Sequence, residues 1–377
     1  MWPAASAVST TAAHNDAASA VPLNLSNAAN TRIAPVWPVR YPEVMTTAEI
    51  SSHDELVASM TGGMVPTTPK VFNGTDKLRA DGRPRPDFRA ELRNIDNVRN
   101  AITFLSVLAA PALITYLVLW AGTWWAVALA VLPMGMVQTR MAILHHEGSH
   151  RLLFSKRSIN DLLGVTFIGW LPFGTGTHHY RRGHANHHRD EFGPKEPDFL
   201  LYAFYPITRS SMRRKLLRDL FGVSAYRIVK PRFTGLVKPK YLSLSLRFFA
   251  GQVFVAALFW LAGSLSLYVW LWLLPYFSWY QLQNRLRAIA EHGGMTRSPD
   301  RRDTTHHVEQ SWLPSLLIAP YYVGYHVAHH VDSGVPMRNL PRLHAALVDG
   351  GYIQEGSVWP SYRALWSALM SPASAKA

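Results

Sequence analysis

Eight histidines of this chain fall into three short clusters whose spacing suits metal ligation. They are His146-Glu147-Gly148-Ser149-His150, His184-Ala185-Asn186-His187-His188 and His326-Val327-Ala328-His329-His330. Neutral imidazole is the commonest protein ligand for transition metals. His146 and His150 are four residues apart, so on a helix they share a face, one turn from each other. His184 and His187 share a face in the same way, with His188 on a neighbouring azimuth. The run His326, His329, His330 repeats that HxxHH pattern. Such a unit can serve two metals a few ångströms apart. Eight imidazoles exceed what one metal takes, so the spacing predicts a dinuclear site.

Rival readings explain less. The first cluster also fits the HExxH pattern of zinc proteases, in which Glu147 would be the general base. That reading leaves both HxxHH clusters without a role. The pairs His178-His179 and His306-His307, taken alone, read as surface or core histidines. The chain has no cysteine, which excludes disulfides, thiolate zinc sites and a cysteine-ligated iron–sulfur cluster within it. A net charge of +14 raises nucleic acid as a partner, but no nucleic-acid motif accompanies the basic residues, and none is expected to bind.

The clusters must be held by the elements around them, and these are strongly apolar. Four segments approach the roughly 20 residues needed to cross a bilayer. They run over about 101–122, 123–144, 248–263 and 265–280, and pair as two tight hairpins. The connection from Arg151 to Arg247 carries about 18 Lys and Arg. By the positive-inside rule that connection is cytoplasmic. Ile159–Phe173 and Leu313–Val323 are shorter. Ile159–Phe173 cannot cross, because the first and second clusters would then lie on opposite faces. It is expected in the interface or beneath the bundle. Residues 1–88, rich in Ala, Ser, Thr and Pro, read as a disordered tail before a catalytic domain at 89–377.

The combined clusters and their flanks resemble the membrane fatty acid desaturase family. His146–His150 with Leu152-Leu153-Phe154 and Asn160-Asp161-Leu162-Leu163 resembles its first box. Tyr180-Arg181-Arg182-Gly183 before His184 resembles its second. Leu317-Ile318-Ala319-Pro320 through His330 to Val335-Pro336 and Asn339-Leu340-Pro341-Arg342 resembles its third. The resemblance implies an all-α integral membrane fold of four transmembrane helices, with a cytosolic helical cap holding two irons. It also implies a ninth ligand after the fourth span. Arg287-Ala288-Ile289-Ala290-Glu291-His292 resembles that stretch, so His292 joins His146, His150, His184, His187, His188, His326, His329 and His330. Two departures stand out. Glu147 occupies a position where many relatives have Asp, and a carboxylate there can orient a ligand from behind. His145 offers the first box an alternative start, His145–His150.

A histidine-rich iron pair suits O₂ activation and removal of hydrogen from an unactivated C–H bond. Desaturation of a long-chain fatty acid or acyl lipid is the expected reaction. Hydroxylation and oxidative decarboxylation to a terminal alkene use the same site, and a non-catalytic lipid sensor is the remaining alternative. Aromatic residues in Trp270–Tyr280 and Trp312–Tyr325 suit an apolar tunnel or an interfacial belt. The chain lacks a haem-binding HPGG or GxGxxG segment, so electrons are expected from an external ferredoxin or cytochrome b5-like donor with its reductase. The basic stretch Arg213–Lys240 suits docking of an acidic donor or acyl carrier, or contact with anionic headgroups.

Overall fold

The computed structural model describes residues 52–66, 71–175 and 179–371. The chain is mostly helical. Three helices are long and apolar enough to cross a membrane: α1 (Asn97–Ala121), α2 (Trp124–Ser149) and, later in the chain, Pro239–Leu261. The Asp96 carboxylate caps α1 by accepting from the Arg99 N–H, and Gly122 ends it in the left-handed region at φ 60°. Such a stop leaves only Thr123 before α2 begins, so the two helices form a hairpin. Their outer faces carry large exposed apolar side chains, among them Leu105, Trp120, Trp124 and Leu129. An apolar surface of that extent is stable against lipid and not against water.

Between the hairpin and the third long helix, the second histidine cluster lies on α3 (His179–Arg189). The third long helix is α4 (Pro239–Leu261), which begins nine residues before the expected start at 248. The expected fourth span, 265–280, is helical but not one helix. It contains a π-helical stretch, Tyr268–Leu273, and breaks at Ser278 (φ −120°, ψ −90°). Pro275 has no N–H to give to the carbonyl of Leu271, so the regular ladder is interrupted just after the π-helical stretch, and at the break the Ser278 hydroxyl donates to the Leu274 carbonyl at 2.6 Å. After the break, α5 (Trp279–His292) carries the chain to His292. The third cluster lies on the short α6 (His326–Val331).

Ile159–Phe173 packs against α2 over much of its length, with Ile159 and Leu162 left exposed. It forms a π-helical stretch, Asn160–Phe167, continued by Ile168–Phe173, with Val165, Ile168 and Phe173 in the core. Two glycines allow this packing. A Cβ on Gly148 of α2 would stand 2.4 Å from the Gly164 carbonyl oxygen, so backbone meets backbone where the first cluster sits. Leu313–Val323 holds only a short helix, Trp312–Leu317.

Two expectations need correction. Residues 52–66 and 71–88 of the expected tail are folded, while 1–51 and 67–70 lie outside the described residues. Ser52 and Glu55 form a capping box on the helix His53–Met60, His53 Nε2 meets the Phe192 carbonyl at 2.7 Å, and Leu78 is fully buried in the main core. The low apolar content that suggested disorder misleads because the few apolar side chains dock on another part of the molecule. The fold is also not purely helical: His307–Val308 pairs in parallel with Val358–Trp359, His307 opposite Val358.

The Gly148–Gly164 contact generates a test. Gly148→Ala gains helix propensity but forces backbone against backbone, and overpacking of this kind costs about 1–3 kcal/mol. We expect a lower melting temperature together with reduced metal content of the purified protein. An unchanged melting temperature and metal content would mean the helices can separate freely here.

Candidate metal centre

Asn160, wholly buried, fixes the chain after the first cluster. Its amide donates to the Gly148 carbonyl at 2.8 Å and accepts from the Leu153 and Phe154 N–H groups. Arg181, on α3, donates to the Ser149 carbonyl at 2.9 Å and to that of Gly148 at 3.2 Å. Those carbonyls lie in the last turn of α2, where a guanidinium complements the helix dipole. The helix of the second cluster is thereby bonded to the end of the first. On the far side, the Glu147 carboxylate accepts from the Met337 N–H at 2.8 Å, tying the loop after the third cluster to α2. Glu147 thus holds backbone, rather than orienting an imidazole as expected.

The nine predicted histidines meet in two adjacent groups. His146, His150, His184, His188 and His329 form one, and His187, His292, His326 and His330 the other. Within each group one nitrogen per ring lies within 4.8 Å of all the others. The helical pairing differs from expectation. His184 and His188, four apart, go to one group, and His187 crosses to the other. The third cluster inverts this: His326 and His330 share the second group, and His329 crosses to the first. Facing rings bring the groups together, with the His188 and His330 centroids 4.4 Å apart.

These contacts suit a metal better than hydrogen bonds. His184 Nε2 meets both His150 Nε2 at 2.8 Å and His188 Nε2 at 2.9 Å, and the latter also meets His329 Nε2 at 3.0 Å. A neutral ring nitrogen has one N–H or one lone pair, so it cannot serve two partners in this way. His146 Nε2 and His187 Nε2 are buried with no hydrogen-bond partner among the described residues. Two nitrogens bound at right angles to one metal at about 2.1 Å stand about 3 Å apart, which matches the observed contacts. The donor set therefore fits a metal pair.

Electrostatics agree with lone pairs free to donate. Burial pushes His150 down to about 3, and burial with neighbouring imidazoles holds His184, His188, His326, His329 and His330 well below the usual histidine range. His187 differs: burial opposes its charge, yet the Glu196 carboxylate raises it to about 9.

Residues the sequence reading missed orient the second group. His187 Nδ1 lies 2.8 Å from Glu196, His330 Nδ1 contacts Glu191, and His292 Nδ1 donates to the Thr304 carbonyl at 2.8 Å. Arg301 holds Glu191 in turn, at 2.6 Å. Glu291, bonded by Arg287 at 3.1 Å, stands 3.4 Å from His326 Nδ1. Partners of this kind fix ring orientation and raise ligand basicity. Their one signal in the sequence is that Glu191 and Glu196 closely follow the second cluster inside a basic connection.

The remaining described histidines fall outside both groups. His145 packs at a tilt against Tyr180, with centroids 4.4 Å apart, and faces Gly169, which leaves His146 as the start of the first cluster. His306 bonds the Gly293 carbonyl at 2.6 Å, and His307 stacks on His344. His179 begins α3, and His178 lies outside the described residues.

Comparison with known proteins gives this constellation a family. The fatty acid desaturase profile matches residues 122–362, a span containing all nine histidines. The chain belongs to the fatty acid desaturase family. A dihydrorhizobitoxine desaturase of Bradyrhizobium elkanii is 25% identical over 292 residues, which covers 72% of this chain and 81% of that relative. Family membership makes the chain an oxidoreductase of desaturase type. The apolar helices make it a membrane protein.

Individual replacements separate bound rings from packed ones. His184→Ala and His326→Ala should each lower the metal content of purified protein, measured by elemental analysis, and leave it in the membrane fraction. Glu196→Gln keeps shape but removes the carboxylate, and should weaken metal affinity roughly 10–100-fold. His307→Phe should leave metal content unchanged, since His307 only stacks on His344.

Proposed function

We propose that this protein is an O₂-dependent diiron enzyme that introduces a C=C bond into a long-chain fatty acid or acyl lipid. The observation that carries the reading is the division of nine imidazoles into two touching groups, five and four. His146, His150, His184, His188 and His329 would hold one iron, and His187, His292, His326 and His330 the other. When bound in such a set, an iron pair activates O₂ toward unactivated C–H bonds. The chain's own residues do the rest. Glu196, Glu191 and the Thr304 carbonyl hold the imidazoles in one tautomer and orientation. Most of the rings are buried, while His150 and His188 are half-buried.

An apolar cavity of about 630 Å³ among the long helices supports an acyl substrate. Tyr116, Met141, Phe167, Phe254, Phe259 and Trp272 line it, and Met141 lies four residues before His145 on the same helix. Trp272 is the expected aromatic contribution from 270–280. Trp270 and Trp312 are instead exposed, as an interfacial belt requires. The relative's name specifies dihydrorhizobitoxine, so the substrate of this chain need not be a lipid by kinship alone; the cavity is the reason to prefer one. Hydroxylation and decarboxylation to an alkene remain rivals that product analysis separates.

In this reading the chain from Ser266 to His292 serves as the fourth span despite its break. Both hairpins return to the cytoplasm, and a cap of the remaining helices covers the irons there. Residues 89–377 form the catalytic domain, now joined by the folded parts of 52–88. Arg213, Arg214, Leu217 and Phe221 are all exposed, a mixture that suits anionic headgroups at the membrane surface. Electrons come from an external ferredoxin or cytochrome b5-like donor.

Two experiments test this. Protein purified with iron available should carry about two irons per chain, and cells expressing it should accumulate unsaturated acyl chains. One zinc without iron, or hydroxylated or alkene products, would replace the reading. For topology, cysteines placed at Ser210 and Thr296 should react with an impermeant thiol reagent only from the cytoplasmic side, and one at Ser264 only from the other. Labelling of Ser210 and Thr296 from opposite sides would end the claim that His184 and His292 share a compartment.

A further inference from the structure

We propose that a second pocket, opening from solvent onto the histidine cluster, binds an anionic head of the substrate, a carboxylate or a phosphate. The proposal deepens the reading above and rests on it for the identity of the substrate as an acyl compound. The pocket has a volume of about 530 Å³, in the range of small-molecule sites. His150, His188 and His330, drawn from both imidazole groups, form part of its wall. Four guanidinium groups line it, against the single carboxylate of Asp332.

Two of the four are already committed. Arg89 forks onto Asp332 through two bonds. Arg301 is held by Glu191 and by the His188 carbonyl. Arg79 and Arg83 are not. Among the described residues Arg83 has an ion pair with Asp81 alone, at 3.8 Å, with both side chains more than half exposed. No ion pair to Arg79 exists among the described residues. Among the described residues the pocket therefore presents two guanidinium groups without a fixed counter-ion, beside the imidazole cluster. A guanidinium pair in that position is matched to the oxygens of a carboxylate or phosphate.

The two arginines are presented by a built turn. The Arg79 N–H donates to the Arg83 carbonyl at 2.8 Å, the Gly82 N–H to the Arg79 carbonyl at 2.9 Å, and the Arg85 N–H to the Lys77 carbonyl at 2.8 Å. Leu78 anchors the turn in the core. Gly82, at φ 80°, is pressed so close to Tyr352 that a Cβ would stand 2.9 Å from its ring. An anion on this turn sits next to the imidazoles. The carbons presented to the centre would then be those close to the head, not those in the middle of a long chain. The apolar cavity among the spans, by contrast, has no charged lining and none of the nine histidines.

Equilibrium binding to the full-length holoprotein, immobilised in uncharged detergent, tests the proposal with radiolabelled dodecanoate, dodecyl phosphate and 1-dodecanol. At least one anion should bind about tenfold or more tightly than the alcohol, the increment of one charge-assisted hydrogen bond. The stronger anion identifies the head group. Arg79→Gln with Arg83→Gln should abolish the preference and leave dodecanol affinity unchanged. Arg79→Gln alone should reduce the preference, and Arg79→Lys should restore part of it, which gives a result even if the double variant fails to load metal. Equal binding of all three probes, or a preference that survives both glutamines, would overturn the proposal. The measurement needs no turnover. A chain that binds dodecanoate through these arginines but desaturates nothing would sink the functional reading alone, and an active desaturase indifferent to them would sink only this one.

Discussion

The molecule is organised around the burial of imidazole rings whose nitrogens converge on common points. Burying so many polar rings without partners would be costly, because each loses its hydrogen bonds to water. His146 Nε2 and His187 Nε2 are left facing their groups with no hydrogen-bond partner among the described residues. A bound cation removes that cost at every ring together, since each lone pair then has an acceptor. The surrounding structure supplies the precision this needs: Asn160 and Arg181 lock the end of α2, and Gly148 against Gly164 sets how near the underlying helix approaches.

The two imidazole groups are not equivalent. Three of the four rings in the second group have an Nδ1 bonded to a carboxylate or carbonyl, through Glu196, Glu191 and Thr304. In the first group, His184 Nδ1 and His188 Nδ1 are buried without partners among the described residues. Anionic partners make an imidazole a stronger donor. Two metals held this way would experience different donor strengths, and the first group contributes two rings, His150 and His188, to the arginine-lined pocket against His330 alone from the second.

Much of this arrangement was legible in the sequence, for identifiable reasons. The histidines announce themselves because their type is rare and their spacing helical. The α1–α2 hairpin is legible because long apolar runs interrupted by Gly122 permit little else. Legibility failed where local composition and tertiary placement diverge. Residues 71–88 look like a polar tail, yet Leu78 and Gly82 dock on Tyr352 and the core. The break at Ser278 was hidden inside an apolar run that continues across it, with Pro275 as its only mark. The allotment of His187 and His329 to opposite groups was out of reach of spacing alone, because it depends on how α3 and α6 face each other across the site.

That crossed allotment bears on how the protein comes into being. Each metal position draws rings from both α3 and α6, segments separated by more than a hundred residues in the chain. Neither position is complete until α6 has been synthesised and has reached α2 and α3. A nascent chain thus has no finished half-centre to fill early, and the two positions mature together. On the proposed assignment metal uptake would be a late event, and a truncated chain ending before His326 would lose both positions rather than one.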